Sequence, residues 1–254
     1  MTRSTASQDR LRALARTLAP VQPRRALLAV GRHLGPSSLA WAANGLGALE
    51  QGRWLADTGS RVPNLPDRFA VFEAALRLVD EARRPLYLEF GVYRGRTLRW
   101  WSQHLRQPAA RLVGFDSFEG LPEHWLPGAP AGTFVAGAPP HLTDERVSFV
   151  VGRFEETLPG WSPPPHDQLI VNLDCDLYSS SSRVLRWLTP HLALGALVYF
   201  DDLFSRDHQA RALREWLEGD SATAALRPVA MARWGHHLLF RVDGAPAGPT
   251  TGSG

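Results

Sequence analysis

The chain has 254 residues, 44% of them hydrophobic, and a formal net charge of +3, which suits one sizeable core with an appendage rather than two full catalytic domains. Every one of the 28 basic residues is arginine, so mechanisms that need a P-loop lysine, a pyridoxal Schiff base or a Tyr-x-x-x-Lys dehydrogenase pair are excluded. The single cysteine, Cys175, excludes an intramolecular disulfide and a cysteine zinc cluster and suits a reducing cytoplasm.

Residues 1–84 read as helical. "DRLRALARTLA", "ALLAVGRHLG", "SLAWAANGLGALEQGRWLAD" and "DRFAVFEAALRLVDEA" all space apolar residues at three and four, with Pro63 and Pro66 as punctuation. This region is expected to act as a lid, a dimer contact or both. The arginine-rich start superficially resembles an export signal, but Arg32 and His33 interrupt its apolar stretch and no small-residue cleavage site follows. No run approaches the roughly 18 apolar residues of a membrane span, so no membrane partner is expected. The arginines do not gather along one motif, and nucleic acid is not expected either.

From Pro85 short apolar runs alternate with helical patterns, the texture of successive β-α units over residues 85–243. Seven strands are expected: "PLYLEFG", "ARLVGFD", "RVSFVVG", "QLIVNLD", "ALVYFDD", "LRPVAMAR" and "HHLLFRV". "GRTLRWWSQHL", "SSRVLRWLTPHL" and "DHQARALREWLEG" carry helical periodicity between them, and Trp100, Trp101 and Trp187 fall at positions that suit core or interface. Gly120 to Asp144 is a Pro/Gly-rich excursion too long for a tight connection and is expected beside the site. The tail, 244–254, has little to bury and is expected to be disordered.

In a doubly wound sheet the ligand lies outside the carboxyl ends of the strands, so strand ends are the residues to inspect. Glu89 and Gly91 close the first, Asp116 the second, Gly152 the third, Asp174 and Asp176 the fourth, Asp201 and Asp202 the fifth. Acidic ends on one rim repel one another by several kcal/mol in a partly dry cleft unless a cation or donors compensate. The turn "EFGVYRGRT" sets Gly91 and Gly95 before a helix start that favours a carboxylate or phosphate, but it lacks the Gly-x-Gly-x-x-Gly of dinucleotide sites. Asp116 stands where a carboxylate accepts ribose hydroxyls. A ribose-bearing ligand ending in an amino acid fits, and that ligand is S-adenosylmethionine. Glu89, Gly91, Gly95, Thr97, Asp116 and Ser117 form the candidate cofactor set.

The segments "LEFGVYRGRT", "VGFDSFEGLPE", "GRFEETLP", "LDCDLYSSS" and "YFDDL", in this order over about 69–242, resemble the macrocin O-methyltransferase family of class I S-adenosylmethionine enzymes. The resemblance implies a Rossmann-like α/β fold, a doubly wound seven-stranded sheet whose last strand is antiparallel, with an N-terminal helical extension. It implies methylation of a hydroxyl on a small acceptor such as a glycoside, a homodimer, magnesium held by Asp174, Asp201 and Asp202, and Asp176 as general base. The chain departs from the family pattern at Ser179 and Leu203, where glutamate and tyrosine are usual. A phenolic acceptor and a non-catalytic S-adenosylmethionine-binding scaffold stand as alternatives.

Period-two alternation is expected to put Asp174 and Asp176 on one side of their strand and Cys175 in the core. His208 is the second candidate base. His236 and His237 lie in the last strand pattern, where one must face out, and neither is read as a ligand. Ser179 to Ser182 is expected to begin and cap a helix, and Arg94 and Arg153 either bind an acidic group or solvate the rim.

Overall fold

The computed structural model describes residues 23–57, 61–80, 84–219 and 226–244. The expected helix over 9–19, and the expected tail apart from Gly244, lie outside the described residues. The chain divides into two compact units, 1–43 and 44–254. In the first, helix α1 (Pro23–Gly31) and the opening of α2 (Pro36–Asp57) each begin on a proline, whose fixed φ and missing N–H suit the first helical position.

The second unit holds the rest of α2 and an eight-stranded sheet. Its strands in chain order are β1 (Asn64–Leu65), β2 (Pro85–Phe90), β3 (Arg111–Asp116), β4 (Val147–Val151), β5 (Gln168–Leu173), β6 (Leu197–Phe200), β7 (Leu226–Ala232) and β8 (His237–Val242). They lie in the order β1-β7-β8-β6-β5-β2-β3-β4. All pairings are parallel except those of β8 with β6 and β7. The seven expected strands and the antiparallel last one are therefore present. The addition is β1, two residues that pair Leu65 with Ala232 at the sheet edge, too short to leave a period-two signal.

β2 and β5 are buried along their whole length because helices cover both sheet faces, as parallel sheets require. Leu86, Leu88, Phe90, Val171 and Leu173 face one core with Val184, Leu185, Leu188 and Leu213, from α6 (Tyr178–Leu188) and α7 (Gln209–Gly219). Tyr87, Leu112, Ile170 and Tyr199 face the other with Val71, Phe72, Leu98 and Trp101, from α3 (Arg68–Leu76) and α4 (Arg96–His104). A one-turn α5 (Phe154–Thr157) follows β4. Trp101 is buried as expected, while Trp100 is half-buried and stacks on His104. Strand order reverses between β2 and β5, and the crevice at that switch point is where such folds hold ligands.

Candidate active site

The turn after β2 is built by its neighbours. Gly91 has φ +92°, and a Cβ there would lie 1.9 Å from the carbonyl oxygen of Asp174, so no other residue lets β2 and β5 end this close together. The Asp116 carboxylate accepts the N–H groups of Val92 (2.8 Å), Tyr93 (2.8 Å) and Phe118 (2.7 Å), holding Tyr93 and Phe118 at φ +51° and +60°. That leaves about one of its roughly four lone-pair sites for a ligand. Gly95, at φ +70°, caps α4 with no side-chain hydrogen bond, and in the first turn of that helix the Leu98 N–H is directed at the Glu89 carboxylate. Thr97 is buried one residue inside α4, and Ser117 Oγ accepts the Glu119 N–H.

Glu89 lies under this turn, 1% exposed, and accepts the Tyr87 hydroxyl at 2.5 Å. Burial pushes its pKa up to about 8. Sheet register sets Glu89 beside Asn172 and Asn172 beside Tyr199, so one buried polar row runs across three strands beneath the crevice.

The acidic side comes from the ends of β5 and β6. Oxygens of Asp174, Asp176 and Asp202 lie within 4.8 Å of one another, a spacing that suits a hard cation. Asp176 reaches this cluster from φ +57°, beyond the end of β5, so a left-handed kink rather than strand alternation brings the two carboxylates together. Cys175 is buried with Sγ 3.4 Å from Ser181 Oγ, and burial raises its pKa to about 12, which leaves an inert thiol. Asp201, expected beside Asp174 and Asp202 as a metal ligand, is turned inward instead: it is 2% exposed and accepts the Tyr199 hydroxyl at 2.6 Å. His237 Nδ1 lies 3.2 Å from its Oδ1, and Arg68 contacts its other oxygen.

Burial first, then the neighbouring carboxylates, pushes Asp174 well above its ordinary range. Burial and Asp202 do the same to Asp176. Burial acts upward on Asp201 as well, but the His237 hydrogen bond and Arg68 outweigh it and hold this group below its usual value.

Four residues of this side left no motif. Gln209, fully buried at the start of α7, donates to the Leu173 carbonyl (3.2 Å) and accepts the Asp202 N–H (2.8 Å), tying the ends of β5 and β6 together. His236 Nε2 sits 2.9 Å from Asp202 Oδ1. Both adjacent histidines thus face the acidic pair, contrary to the alternation expected of them, because His236 belongs to the turn after Arg233–Gly235 and only His237 to β8. Arg68, the fourth, comes from the start of α3. The serine run does not cap its helix: Leu177 is the cap residue, Ser181 is buried, and Ser179 donates to Glu123 at 2.5 Å. His208 lies in the turn before α7 and is not among the residues lining the crevice.

Together these groups line a cleft of about 500 Å³, within the range of small-molecule sites. Glu89, Gly91, Thr97, Asp116 and Ser117 line one side, and Asp174, Asp176, Asp201 and Asp202 the other. Gly95 is the one expected cofactor residue outside the lining, pressed against Pro140. Arg94 and Arg153 both line it, Arg94 over the Tyr93 ring and Arg153 paired with Glu119. The 120–144 excursion supplies Leu121, Pro122 and Phe134. It spans both halves of the cleft, with Phe134 on Tyr93 at 5.5 Å and Trp125 near Phe204 at 6.0 Å.

Residues 88–203, from mid-β2 to just past β6, match the family described as a methyltransferase domain. The matched segment, just under half of the chain, is similar to such domains. It contains the glycine turn, Asp116 and all four carboxylates of the acidic side. The chain is 32% identical over 136 residues to the 8-demethyl-8-(2,3-dimethoxy-alpha-L-rhamnosyl)-tetracenomycin-C 4'-O-methyltransferase of Streptomyces olivaceus, covering 45% of this chain and about half, 51%, of the relative. The chain also superposes on the O-methyltransferase NovP, with TM-score 0.56 and 22% identity, over 68% of this chain and 80% of that one. For CalS11, a calicheamicin methyltransferase, the TM-score is 0.52 and the identity 23%, over 82% and 94%. These two structures share the fold. The curated relative is by its name an O-methyltransferase, in line with the resemblance read from the sequence.

Proposed function

We propose that this protein is an S-adenosylmethionine-dependent O-methyltransferase acting on a hydroxyl of a sugar or another small natural-product acceptor, assisted by a divalent cation, magnesium by preference. The observation that carries this reading is the division of one cleft between a glycine turn pinned by Asp116 and an acidic cluster of Asp174, Asp176 and Asp202. The Streptomyces relative acts, by its name, on a rhamnosyl tetracenomycin, which favours a glycoside over a phenol.

S-adenosylmethionine in the turn would supply an electrophilic methyl group. The positive end of α4 and the nearby Arg94 suit its carboxylate, and the remaining acceptor capacity of Asp116 suits a ribose hydroxyl. A hard cation held by Asp174 and Asp202, with Asp176 beside it, would lower the pKa of an acceptor hydroxyl. Asp201, tied to Tyr199 and His237, adds negative charge from behind rather than a free ligand. Asp176 accepts the hydroxyl proton as the new C–O bond forms and the sulfonium C–S bond breaks, with any positive charge at Asp174 and Asp202 favouring its ionised form. Most of the rate comes from holding donor and acceptor in line.

The N-terminal region is proposed to cover the acceptor or to pair two copies, supported by the exposed Leu46 and Leu49 of α2, 49% and 72% accessible. The test of the function is calorimetry of chelator-treated protein with S-adenosylhomocysteine and then magnesium, followed by turnover of rhamnosylated acceptors. Cofactor binding with a separate magnesium response is expected. Asp174→Ala should keep cofactor affinity within about threefold and lose at least about 100-fold in kcat. Absence of cofactor binding, or full activity in that variant, would sink the reading.

A further inference from the structure

Arg68 ion-pairs with the acidic side, and it reaches in from outside the matched domain. The backbone of α3 holds it there from two directions. Asp67 caps the helix by accepting the Ala70 N–H at 3.0 Å, and α3 buries Val71, Phe72 and Ala75 on the sheet, while the preceding β1 pairs with β7. The guanidinium then sits with one nitrogen 3.6 Å from Asp174 Oδ2 and the other 3.1 Å from Asp201 Oδ2, bridging the ends of β5 and β6.

Asp174 therefore belongs to two sets at once. It is one of the three carboxylates that converge for a hard cation, and it is half of the Arg68 bridge. A divalent ion needs close oxygen contact, about 2.0–2.1 Å for magnesium, and would stand within a few ångströms of the guanidinium. Two positive charges at that distance, in a partly buried site, repel one another. Asp201 is nearly inaccessible and already ion-paired, so it offers no relief.

We propose that Arg68 is a built-in competitor for the cation site, a positioning residue that neutralises Asp174 and Asp201 and must withdraw when a divalent ion loads. The proposal rests on the metal reading above. Withdrawal is sterically open, since the Arg68 side chain is 36% exposed and Arg96 already packs its own guanidinium on the adjacent Phe69 ring rather than on the carboxylates. Metal affinity in this protein is then set partly by a residue that never touches the metal, and Arg68 keeps the acidic ends together when the ion is away.

The experiment is calorimetric titration of the full chain with Mn²⁺ and with Mg²⁺, comparing wild type with Arg68→Ala, Arg68→Gln and Arg68→Lys. S-adenosylhomocysteine binding serves as the check that each variant is folded, and Gln keeps the length of the side chain should Ala disturb the helix start. Expected are at least tenfold tighter Mn²⁺ binding in the two neutral variants, near wild-type binding in the Lys variant, and lower melting temperatures for the ion-free neutral variants that recover on adding Mn²⁺. Equal or weaker binding in folded neutral variants, with the wild type still binding, overturns the competition alone. If no form binds either ion, the metal reading falls and the competition falls with it.

Discussion

Glu89 shows how a strand-end residue that is legible in sequence acquires a property that is not. Its place after an apolar run marks it as a rim residue, but only the fold shows it sealed beneath the turn with Tyr87 as donor. Because burial lifts its pKa from 4.5 to about 8, the folded chain holds a proton that the unfolded chain has released over that interval. Stability contributed by the protonated form is thus full below about pH 4.5 and declines as pH rises towards 8. Urea unfolding at intervals from pH 5 to 9 should show this decline, and Glu89→Gln should flatten it. The acids at 174, 176, 201 and 202 were equally legible, since each closes an apolar run. Arg68, Gln209, His236 and His237 were not, because nothing local to them signals that the fold carries them to those acids. The inward turn of Asp201 depends on Tyr199 and His237, which come from two different strands.

At the scale of elements, the two turns beside the cleft are fixed by close approach and by charge. Gly91→Ala would force a side chain into the Asp174 carbonyl at a φ that disfavours any Cβ. A loss of about 3 kcal/mol or more is expected in denaturant melts. At the far end of the 120–144 excursion, Asp144 pairs with Arg146 at 2.6 Å, and the same guanidinium donates to the Ser102 carbonyl at 2.8 Å, tying the excursion to α4. The Arg146 hydrogen bonds hold the Asp144 pKa down at about 2. A depressed acid contributes stability that is present above about pH 4 and lost as pH falls through its folded value, so Asp144→Asn should cost about 2 kcal/mol at pH 7 and nothing below about pH 2. The strands themselves were plain in the sequence because buried parallel strands are continuous apolar runs. The serine run misled because hydroxyl residues favour helix starts in general, while here the cap falls on Leu177 and Ser181 packs against Cys175.

Across the whole molecule, the length and Pro/Gly content of the excursion placed it near the site, but its contacts had to be seen. It hydrogen-bonds within itself, Leu121 N–H to the Thr133 carbonyl at 2.8 Å and Gly132 N–H to the Leu121 carbonyl at 2.8 Å, so it is an ordered wall rather than a slack loop. Trp125 stands between Phe134 on the cofactor side and Phe204 on the acidic side. Trp125→Ala should raise the acceptor KM at least about fivefold while moving S-adenosylhomocysteine affinity little, as steady-state kinetics beside calorimetry would show. Equal effects on both would mean that the wall shapes the cofactor side instead. Among the described residues, α1, α2 and α3 were legible as helices from their periodicity, yet β1 was not, since two residues carry no period.

The seam between β2 and β5 has a mechanical consequence. The donor side of the cleft hangs from the end of β2 and the acidic side from the end of β5, and six consecutive residue pairs, Pro85 with Gln168 through Phe90 with Leu173, lock the two strands in register. Beyond them the Asp174 N–H donates to the Phe90 carbonyl at 2.9 Å, and Gly91 sits flush against Asp174. Sliding one strand by a single residue would shift the two halves by about 3.3 Å, roughly the separation of two atoms poised to react. The sheet thus acts as the ruler of the cleft, and its tolerance is set at the seam rather than among the lining side chains.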